Sequence, residues 1–153
     1  MIKIAYVGFG IVSQGLAEII LANNSVLAEG KGLEIKTVGI LDTFKGSKID
    51  ANGIDMHEVL LNAKNNNYSL LTDSVSNIPE AIQKIEADII IEASFTDIKT
   101  GEPAISHIES ALKSNKHVVT TNKGPFAVAY KQIFKVASSM KKTVAIEGTV
   151  MSG

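Results

Sequence analysis

The sequence predicts an α/β fold in which a mostly parallel sheet carries helices on both faces, and three observations support this. Short runs rich in isoleucine, valine and alanine alternate with longer segments whose apolar residues recur at helical spacing. The strand-like runs are apolar almost throughout, which is typical of parallel strands buried on both faces. A Gly-x-Gly turn, Gly8 to Gly10, joins the first such run to a helical pattern. Together these features indicate a Rossmann-type, doubly wound arrangement.

The opening strand, turn and helix form the stretch around which the chain is organised. Glycine at Gly8 allows the tight turn, and glycine at Gly10 allows main-chain N–H groups to approach a pyrophosphate. The helix expected from about Val12 presents unpaired N–H groups and the positive end of its dipole to such an anion. Ser13 stands where the dinucleotide fingerprint has its third glycine, and its small side chain still permits close helix–strand packing. The alternative is an ordinary strand–helix turn that binds nothing.

The second strand is expected over residues 33–41 and ends at Asp42. We expect the first helix to end near Asn23 and Asn24, with a glycine-bearing connection before the strand. A carboxylate at the end of the second strand accepts hydrogen bonds from the adenosine ribose hydroxyls in dinucleotide folds. Asp42 lies farther from Gly8 than the usual ~20 residues, because the connection is long. The alternative is a solvated aspartate that starts a turn.

The same carboxylate bears on the choice of cofactor. Asp42 would repel the 2′-phosphate of NADP, and the chain contains no arginine to bind that phosphate through two parallel hydrogen bonds. Lys45 and Lys48 follow closely and could neutralise the phosphate. The residues therefore favour NAD and leave NADP open.

The remaining elements follow from apolar spacing and from the positions of proline. Residues 43–77 are polar and contain one short predicted helix, whose apolar residues are Met56, Val59, Leu60 and Ala63. A proline near the first turn marks each of three more helices, at Pro79, Pro103 and Pro125. The last of them is expected to run to about Met140. Further strands are predicted over residues 87–93, 117–120 and 143–147.

Two loops leave the carboxyl ends of predicted strands, the edge at which open α/β sheets bind ligands. Ser94, Phe95 and Thr96 form one loop, and Lys123 lies in the other, just before a helix N-terminus. The interaction of a cation at this point with the helix dipole is unfavourable by roughly a few tenths of a kcal/mol. A lysine at this point therefore indicates function, unless it simply turns into solvent. His107 lies away from the apolar face of its helix, so we expect a surface position for it.

Composition excludes several classes of protein. The formal net charge is −1 and no basic block is present, so nucleic acid is not an expected partner. The absence of cysteine excludes disulfides and cysteine metal sites and suits a cytoplasmic protein. No apolar run approaches the ~20 residues of a membrane span, so no membrane association is expected. The 153 residues suffice for one domain.

Four stretches, taken in order along the chain, resemble homoserine dehydrogenase. They are Gly8-Phe9-Gly10, residues 96–104 (TDIKTGEPA), residues 117–125 (HVVTTNKGP) and residues 147–153 (EGTVMSG). The Gly-x-Gly turn is common to many dinucleotide folds, whereas the KTGEP and NKGP stretches followed by EGTV are specific. The chain is similar to the nucleotide-binding portion of that family over its whole length.

The resemblance implies interconversion of homoserine and aspartate semialdehyde with a nicotinamide cofactor, and it implies roles for particular residues. The adenosine ribose would lie on Asp42, and the pyrophosphate on Gly8, Phe9, Gly10, Ile11 and Val12. The nicotinamide side would be lined by Ser94, Phe95, Thr96, Thr121 and Asn122. Lys123 matches the family lysine that reaches the reacting centre, where its ammonium would polarise the aldehyde oxygen. A monovalent cation would be held through backbone carbonyls in the loop that contains Glu147 and Val150.

The resemblance also implies what lies outside the chain. The family's other catalytic aspartate and lysine, its dimer-forming sheet and most of its substrate pocket would follow residue 153. We therefore expect residues 1–153 to be one NAD(P)-binding domain of an intact homodimer, able to bind cofactor and unable to turn over homoserine. Two alternatives stay open. One is another Rossmann oxidoreductase of the aspartate dehydrogenase type, against which the NKGP stretch argues, and the other is a dinucleotide-binding regulatory module without chemistry.

Overall fold

The computed structural model describes residues 1–149, which form a six-stranded sheet with helices on both faces. The strands are β1 (Ile2–Val7), β2 (Ile35–Asp42), β3 (Gly46–Ile49), β4 (Ile89–Glu92), β5 (His117–Thr120) and β6 (Val144–Ala145). The helices are α1 (Ile11–Lys31), α2 (Met56–Ala63), α3 (Ile78–Lys84), α4 (Ala104–Lys113) and α5 (Gly124–Met140). A 3₁₀ turn, Glu147–Thr149, follows β6.

The strands lie in the order β3-β2-β1-β4-β5-β6 across the sheet. β1 pairs in parallel with β2 on one side and with β4 on the other, and β5 and β6 continue the parallel pairing. β3 is antiparallel to β2. Because the chain leaves β1 first towards one edge and later towards the other, the loops after β1 and β4 diverge and leave a crevice. The predicted fold class, a doubly wound and mostly parallel sheet, is confirmed.

Each face of the sheet carries its own hydrophobic cluster. Side chains alternate along β1, so that Ala5 and Val7 belong to one cluster and Ile4 and Tyr6 to the other. The first cluster joins the sheet to α3, α4 and α5, and the second joins it to α1 and α2. Helices therefore cover both faces, which explains why the strands are apolar almost throughout.

α1 is longer than the sequence predicts. The expectation that it ends near Asn23 and Asn24 is wrong, because the helix continues to Lys31 and closes on Gly32, whose φ is +63°. Asn24 docks the helix on the sheet: its side-chain amide donates to the Ile35 carbonyl at 3.0 Å, and its side-chain oxygen accepts from the Ile35 N–H at 2.9 Å. Asn24 thus pairs with the sheet, while the Asn23 side-chain amide donates to the Ile19 carbonyl within the helix at 2.8 Å, and neither residue ends the helix.

α1 is also longer and more continuously apolar than the runs that the sequence predicts. By length and composition alone this helix could cross a membrane. In the structure it is the crossover between β1 and β2, with Ser13 and Ala17 buried against the sheet. That position is the one occupied by a packed helix of a doubly wound sheet.

Differences from the predicted strands occur after Asp42 and at the strand ends. β3 was not predicted, because its sequence is short and polar and reads as part of a loop. It returns antiparallel to β2 through a turn that ends at Gly46, where φ is +97° and a Cβ would lie 2.3 Å from the Leu71 carbonyl oxygen. β4 and β6 are shorter than the predicted ranges 87–93 and 143–147.

Tyr6 lies in the middle of the sheet with its side chain fully buried. Its hydroxyl has no hydrogen bond of good geometry within residues 1–149, so a phenylalanine side chain would lose no such bond at this position. Burial raises the pKa of the Tyr6 phenol well above its ordinary value, and the nearby Thr37 side chain opposes this only in part. The folded protein therefore keeps this proton in a pH range where the unfolded chain releases it.

We predict that the free energy of unfolding falls as the pH rises above about 10, and that Tyr6→Phe removes part of this dependence. The unfolded state binds fewer protons than the folded state in that window, so alkaline pH favours unfolding. Urea denaturation of both proteins at pH 8 and pH 10.5, followed by circular dichroism, measures the effect. At pH 8 the variant should lie within about 1 kcal/mol of the parent. Equal losses of stability between the two pH values would contradict the assignment to Tyr6.

Candidate functional site

The turn between β1 and α1 is held against the loop that follows β4. Gly8 has a φ of +82°, and a Cβ at this position would lie 2.5 Å from the Ser94 Cα and 2.6 Å from the Ala93 carbonyl oxygen. Both the backbone conformation and the contact therefore require glycine. The Gly8 N–H donates to the Leu41 carbonyl at 2.8 Å, which joins the turn to the end of β2 as well.

The N-terminus of α1 opens towards solvent at this turn. Gly10 is the N-cap residue, and no side chain caps the helix. A Cβ on Gly10 would meet nothing within 4 Å, so there is free space in front of the first helical N–H groups. Ser13 is buried, and its hydroxyl donates to the Gly8 carbonyl at 2.6 Å. The departure from the third glycine therefore ties the helix to the turn by a hydrogen bond.

The peptide of Phe9 is fixed on both sides by the turn between β2 and β3. Its N–H donates to Asp42 Oδ2 at 2.7 Å, and its carbonyl accepts from Lys45 Nζ at 2.6 Å. Lys45 also lies 4.8 Å above the centre of the Tyr68 ring. The Phe9 side chain is buried and stands edge-on to Tyr6. Phe9 therefore offers a fixed backbone to the site, while its ring belongs to the core.

Asp42 makes more hydrogen bonds with the local backbone than the sequence predicts. Besides the Phe9 N–H, its carboxylate accepts from the N–H groups of Phe44 and Lys45 at 2.8 and 2.9 Å. A carboxylate has about four lone-pair positions, so one remains for a ligand hydroxyl. Lys48 lies on β3 opposite Ile40.

A cleft of about 440 Å³ connects these features at the carboxyl edge of the sheet. It lies at the crevice where the strand order reverses and extends from the Asp42–Lys45 turn past the β1–α1 turn to the start of α4. Its lining includes Gly8, Gly10, Asp42, Ser94, Phe95 and His107. Open α/β sheets bind their ligands at this place.

Glu92, the last residue of β4, is fully buried beside the cleft and was not singled out from the sequence. Its Oε1 accepts from the Ser94 N–H at 3.2 Å and from the Ser94 hydroxyl, and lies 3.3 Å from His107 Nδ1. Its Oε2 accepts from the Thr120 hydroxyl at 3.3 Å and from the Asn122 side-chain amide. One carboxyl group thus connects β4, β5 and α4 with the loops that follow β4 and β5.

The expected surface position of His107 is wrong. Only 4% of this residue is exposed, and its Nδ1 faces Glu92 and the Ser94 hydroxyl. The prediction assumed that α4 has a single buried stripe. Buried residues instead lie around much of α4, because the helix packs against the sheet and between α3 and α5.

The other predicted site residues lie along the same edge, around the N-terminus of α5. Lys123 is the exposed N-cap residue of α5, and Thr121 is exposed beside Gly148. The Thr96 hydroxyl oxygen is buried without a hydrogen bond in the described part, and its methyl group would lie 2.8 Å from a Cβ on Gly124. The backbone of Glu147 begins the 3₁₀ turn, and Val150 lies outside the described residues.

These features define a class of protein. Four of them fit a dinucleotide with its pyrophosphate at α1. They are the strict requirement for glycine at Gly8, the uncapped N-terminus of α1, the Asp42 carboxylate at the end of β2, and the cleft where the strand order reverses. The domain is a dinucleotide-binding domain of the Rossmann type.

Comparison with known proteins narrows the class to a family. Residues 8–147 match the family model described as the NAD-binding domain of homoserine dehydrogenase. The chain therefore belongs to the homoserine dehydrogenase NAD-binding domain family, and its cofactor is NAD or NADP.

Relatives and solved structures agree with this assignment. The NAD(+)-dependent homoserine dehydrogenase of Pseudomonas canavaninivorans is 40% identical over 99% of this chain and 44% of its own length. The crystal structure of homoserine dehydrogenase from Thermoplasma acidophilum is 25% identical with a TM-score of 0.81, over 97% of this chain and 43% of that one. A hyperthermophilic archaeal homoserine dehydrogenase in complex with NADPH, 24% identical, shares the fold with a TM-score of 0.79 over 97% of this chain and 44% of that one. The chain spans less than half the length of these proteins.

Two alanine variants of the Gly-x-Gly turn are predicted to behave differently. Gly8→Ala should lower the free energy of unfolding by roughly 1–3 kcal/mol, because its methyl group meets the backbone of Ser94 at a positive φ. Gly10→Ala should stay within about 1 kcal/mol of the parent, since its φ of −81° suits any residue and no atom is near.

The same pair separates folding from binding. Gly10→Ala should weaken dinucleotide binding, because its methyl group occupies the space in front of the α1 N–H groups. Urea denaturation and calorimetric titration with NAD measure the two effects. Equal losses of stability in the two variants would contradict the geometry of the turn.

Proposed function

We propose that the chain is the cofactor-binding domain of an enzyme that interconverts aspartate semialdehyde and homoserine with NAD or NADP, a step in the biosynthesis of threonine and methionine. The observation that carries the proposal is that two loops line one cleft and a third part of the chain lies at the same edge of the sheet. The β1–α1 turn supplies the anion site, the β4–α4 loop forms the adjoining wall, and the N-terminus of α5 presents Lys123 at the same edge. The family assignment supplies the reaction.

In this proposal each part of the edge has its own task. Gly8, Phe9, Gly10, Ile11 and Val12 form the pyrophosphate site. The N–H groups of Gly8 and Phe9 are engaged with Leu41 and Asp42, so the backbone N–H groups at the start of α1 are the ones that face the anion. Asp42 accepts a hydrogen bond from the adenosine ribose with the lone pair that the turn leaves over. The nicotinamide side is lined by Ser94, Phe95, Thr96, Thr121 and Asn122. The bound nicotinamide cofactor supplies or accepts the hydride.

Lys123 is the proposed catalytic residue of this domain. Its ammonium makes no hydrogen bond or ion pair with the side chains that the structure describes, so it is available to a substrate. It stands at the N-terminus of α5, where the partial positive charge of the helix adds to its own. A substrate oxygen that gains negative charge during hydride transfer is stabilised by both charges, and Lys123 donates a hydrogen bond to it.

Asp42 favours NAD over NADP in the proposed site. A 2′-phosphate would face its carboxylate at short range, and the lysine nearest to the turn, Lys45, is already engaged with the Phe9 carbonyl and the Tyr68 ring. The NAD(+)-dependent relative supports the same preference.

The intact protein is proposed to extend beyond this domain. The lengths of the relatives leave room after residue 153 for a substrate domain that carries the remaining catalytic aspartate and lysine. We propose a cytoplasmic homodimer, with a monovalent cation held by backbone carbonyls of Glu147 and Val150 and no nucleic-acid partner.

Asp42→Asn tests the cofactor site. We expect NAD affinity to fall about tenfold, because a hydrogen bond to a charged group is lost, while NADP affinity is unchanged or rises. Asp73→Asn is the matched control, since the Asp73 carboxylate also accepts from a backbone N–H, that of Ile49 at 2.6 Å, outside the cleft. Calorimetric titration with both dinucleotides measures the outcome. A control variant that loses as much NAD affinity as Asp42→Asn would contradict the assignment.

The purified 153-residue chain is predicted to bind dinucleotide without turnover. We expect no rise in absorbance at 340 nm when homoserine and either oxidised cofactor are supplied, because this proposal places most of the substrate pocket in a further domain. Calorimetry on the same sample establishes cofactor binding. Homoserine-dependent reduction of NAD or NADP by this chain would refute the proposal that it binds the cofactor and needs a further domain for turnover.

A further inference from the structure

Glu92 has more hydrogen-bonding contacts than any role in packing requires. We propose that Glu92 is a positioning residue, which holds the Lys123-bearing β5–α5 loop against the β4–α4 loop and fixes the orientation of the Asn122 carboxamide. The meaning of this arrangement for catalysis rests on the proposed function of Lys123. The arrangement itself rests on contacts among described residues.

The end of β5 and the loop that follows it are both attached to Glu92. The Thr120 hydroxyl donates to Oε2 at 3.3 Å and itself accepts from the Asn122 N–H at 3.1 Å. The Asn122 side-chain amide donates to the same Oε2 and, at 2.9 Å, to the Ser94 carbonyl. Lys123 follows directly in the chain, so its backbone is placed by the residue before it.

The same contacts decide which way the Asn122 carboxamide faces. Both of its N–H groups are engaged, because a carboxylate and a carbonyl can only accept hydrogen bonds. The oxygen of the carboxamide is left without a hydrogen bond to any residue within 1–149. It can therefore accept from an N–H group of a bound molecule, such as a carboxamide or an ammonium group.

Glutamine at position 92 would preserve shape and remove this control. Its NH₂ group would replace one carboxylate oxygen and would face groups that donate hydrogen bonds to that oxygen. Either the contacts of Oε1 or those of Oε2 must therefore reorganise. The carboxyl group of Glu92 has no lysine beside it in the described part of the chain; its basic neighbour is His107, whose Nδ1 lies 3.3 Å away, and burying the carboxyl group costs free energy. An uncharged isostere removes that cost, which offsets the cost of the donors that the substitution leaves unpaired, so we expect the loops to change more than the stability of the fold.

Glu92→Gln and Asp88→Asn form a matched pair at the two ends of β4. The Asp88 carboxylate also accepts from a backbone N–H, that of Lys3 at 2.7 Å, at the edge of the sheet away from the cleft. Without cofactor, NMR hydrogen exchange follows the amides of Ser94 and Asn122, and the Asn122 side-chain signals report its hydrogen bonds. Calorimetric titration with NAD follows binding, and thermal unfolding follows stability.

We expect Glu92→Gln to speed exchange at Ser94 and Asn122 at least tenfold, to shift the Asn122 side-chain signals, and to weaken NAD binding about tenfold. Its unfolding temperature should lie within about 2 °C of the parent. Asp88→Asn should change none of these quantities. Faster exchange throughout the sheet with a large fall in the unfolding temperature would show a structural role and overturn the proposal, as would unchanged exchange at the two amides.

Asn122→Ala approaches the same contact from the loop and keeps the test independent of whether Glu92→Gln folds. We expect it to fold like the parent and to weaken NAD binding about tenfold, and unchanged NAD affinity would overturn the proposal. If the parent chain itself binds no dinucleotide, the proposed function fails, while the exchange rates still decide the role of Glu92.

Discussion

The contact between Gly8 and the backbone of Ser94 sets the distance between the two loops that enclose the cleft. β1 and β4 are neighbours in the sheet, and their loops turn in opposite directions, so the space between them depends on how closely the backbones approach. A methyl group on Gly8 would lie 2.5 Å from the Ser94 Cα, so one of the two loops would have to shift. The pyrophosphate site, the wall formed by the β4–α4 loop and the Glu92 contacts all follow from this approach.

Local pattern was sufficient for the parts of the site that are built from consecutive residues. The Gly8-to-Gly10 turn, the end of β2 at Asp42 and the loops at the carboxyl edge were all predicted, because a strand, a turn and a helix each leave a mark within a few residues. The ends of elements were less accessible. Asn24 looks like a helix terminator in sequence, and only the approach of Ile35 shows that its side chain pairs with a strand.

Glu92 and His107 could not be found in the same way. A glutamate at the end of an apolar strand reads as the start of a solvated loop, and the partners that bury it lie on α4, on β5 and in the loop after β5. His107 was misplaced because α4 packs on the sheet and on two other helices, whereas amphipathic spacing assumes one buried stripe. Contacts between distant segments decide both positions, and such contacts leave no periodic signal.

The two attachments of α1 have a mechanical consequence. Near its start the Ser13 hydroxyl holds the helix to the Gly8 carbonyl, and farther along Asn24 fixes the helix to Ile35. A rod fixed at two separated points can neither slide nor rotate on the sheet. The N–H groups at its end therefore point in one direction before any anion arrives, and little entropy is lost when the anion binds.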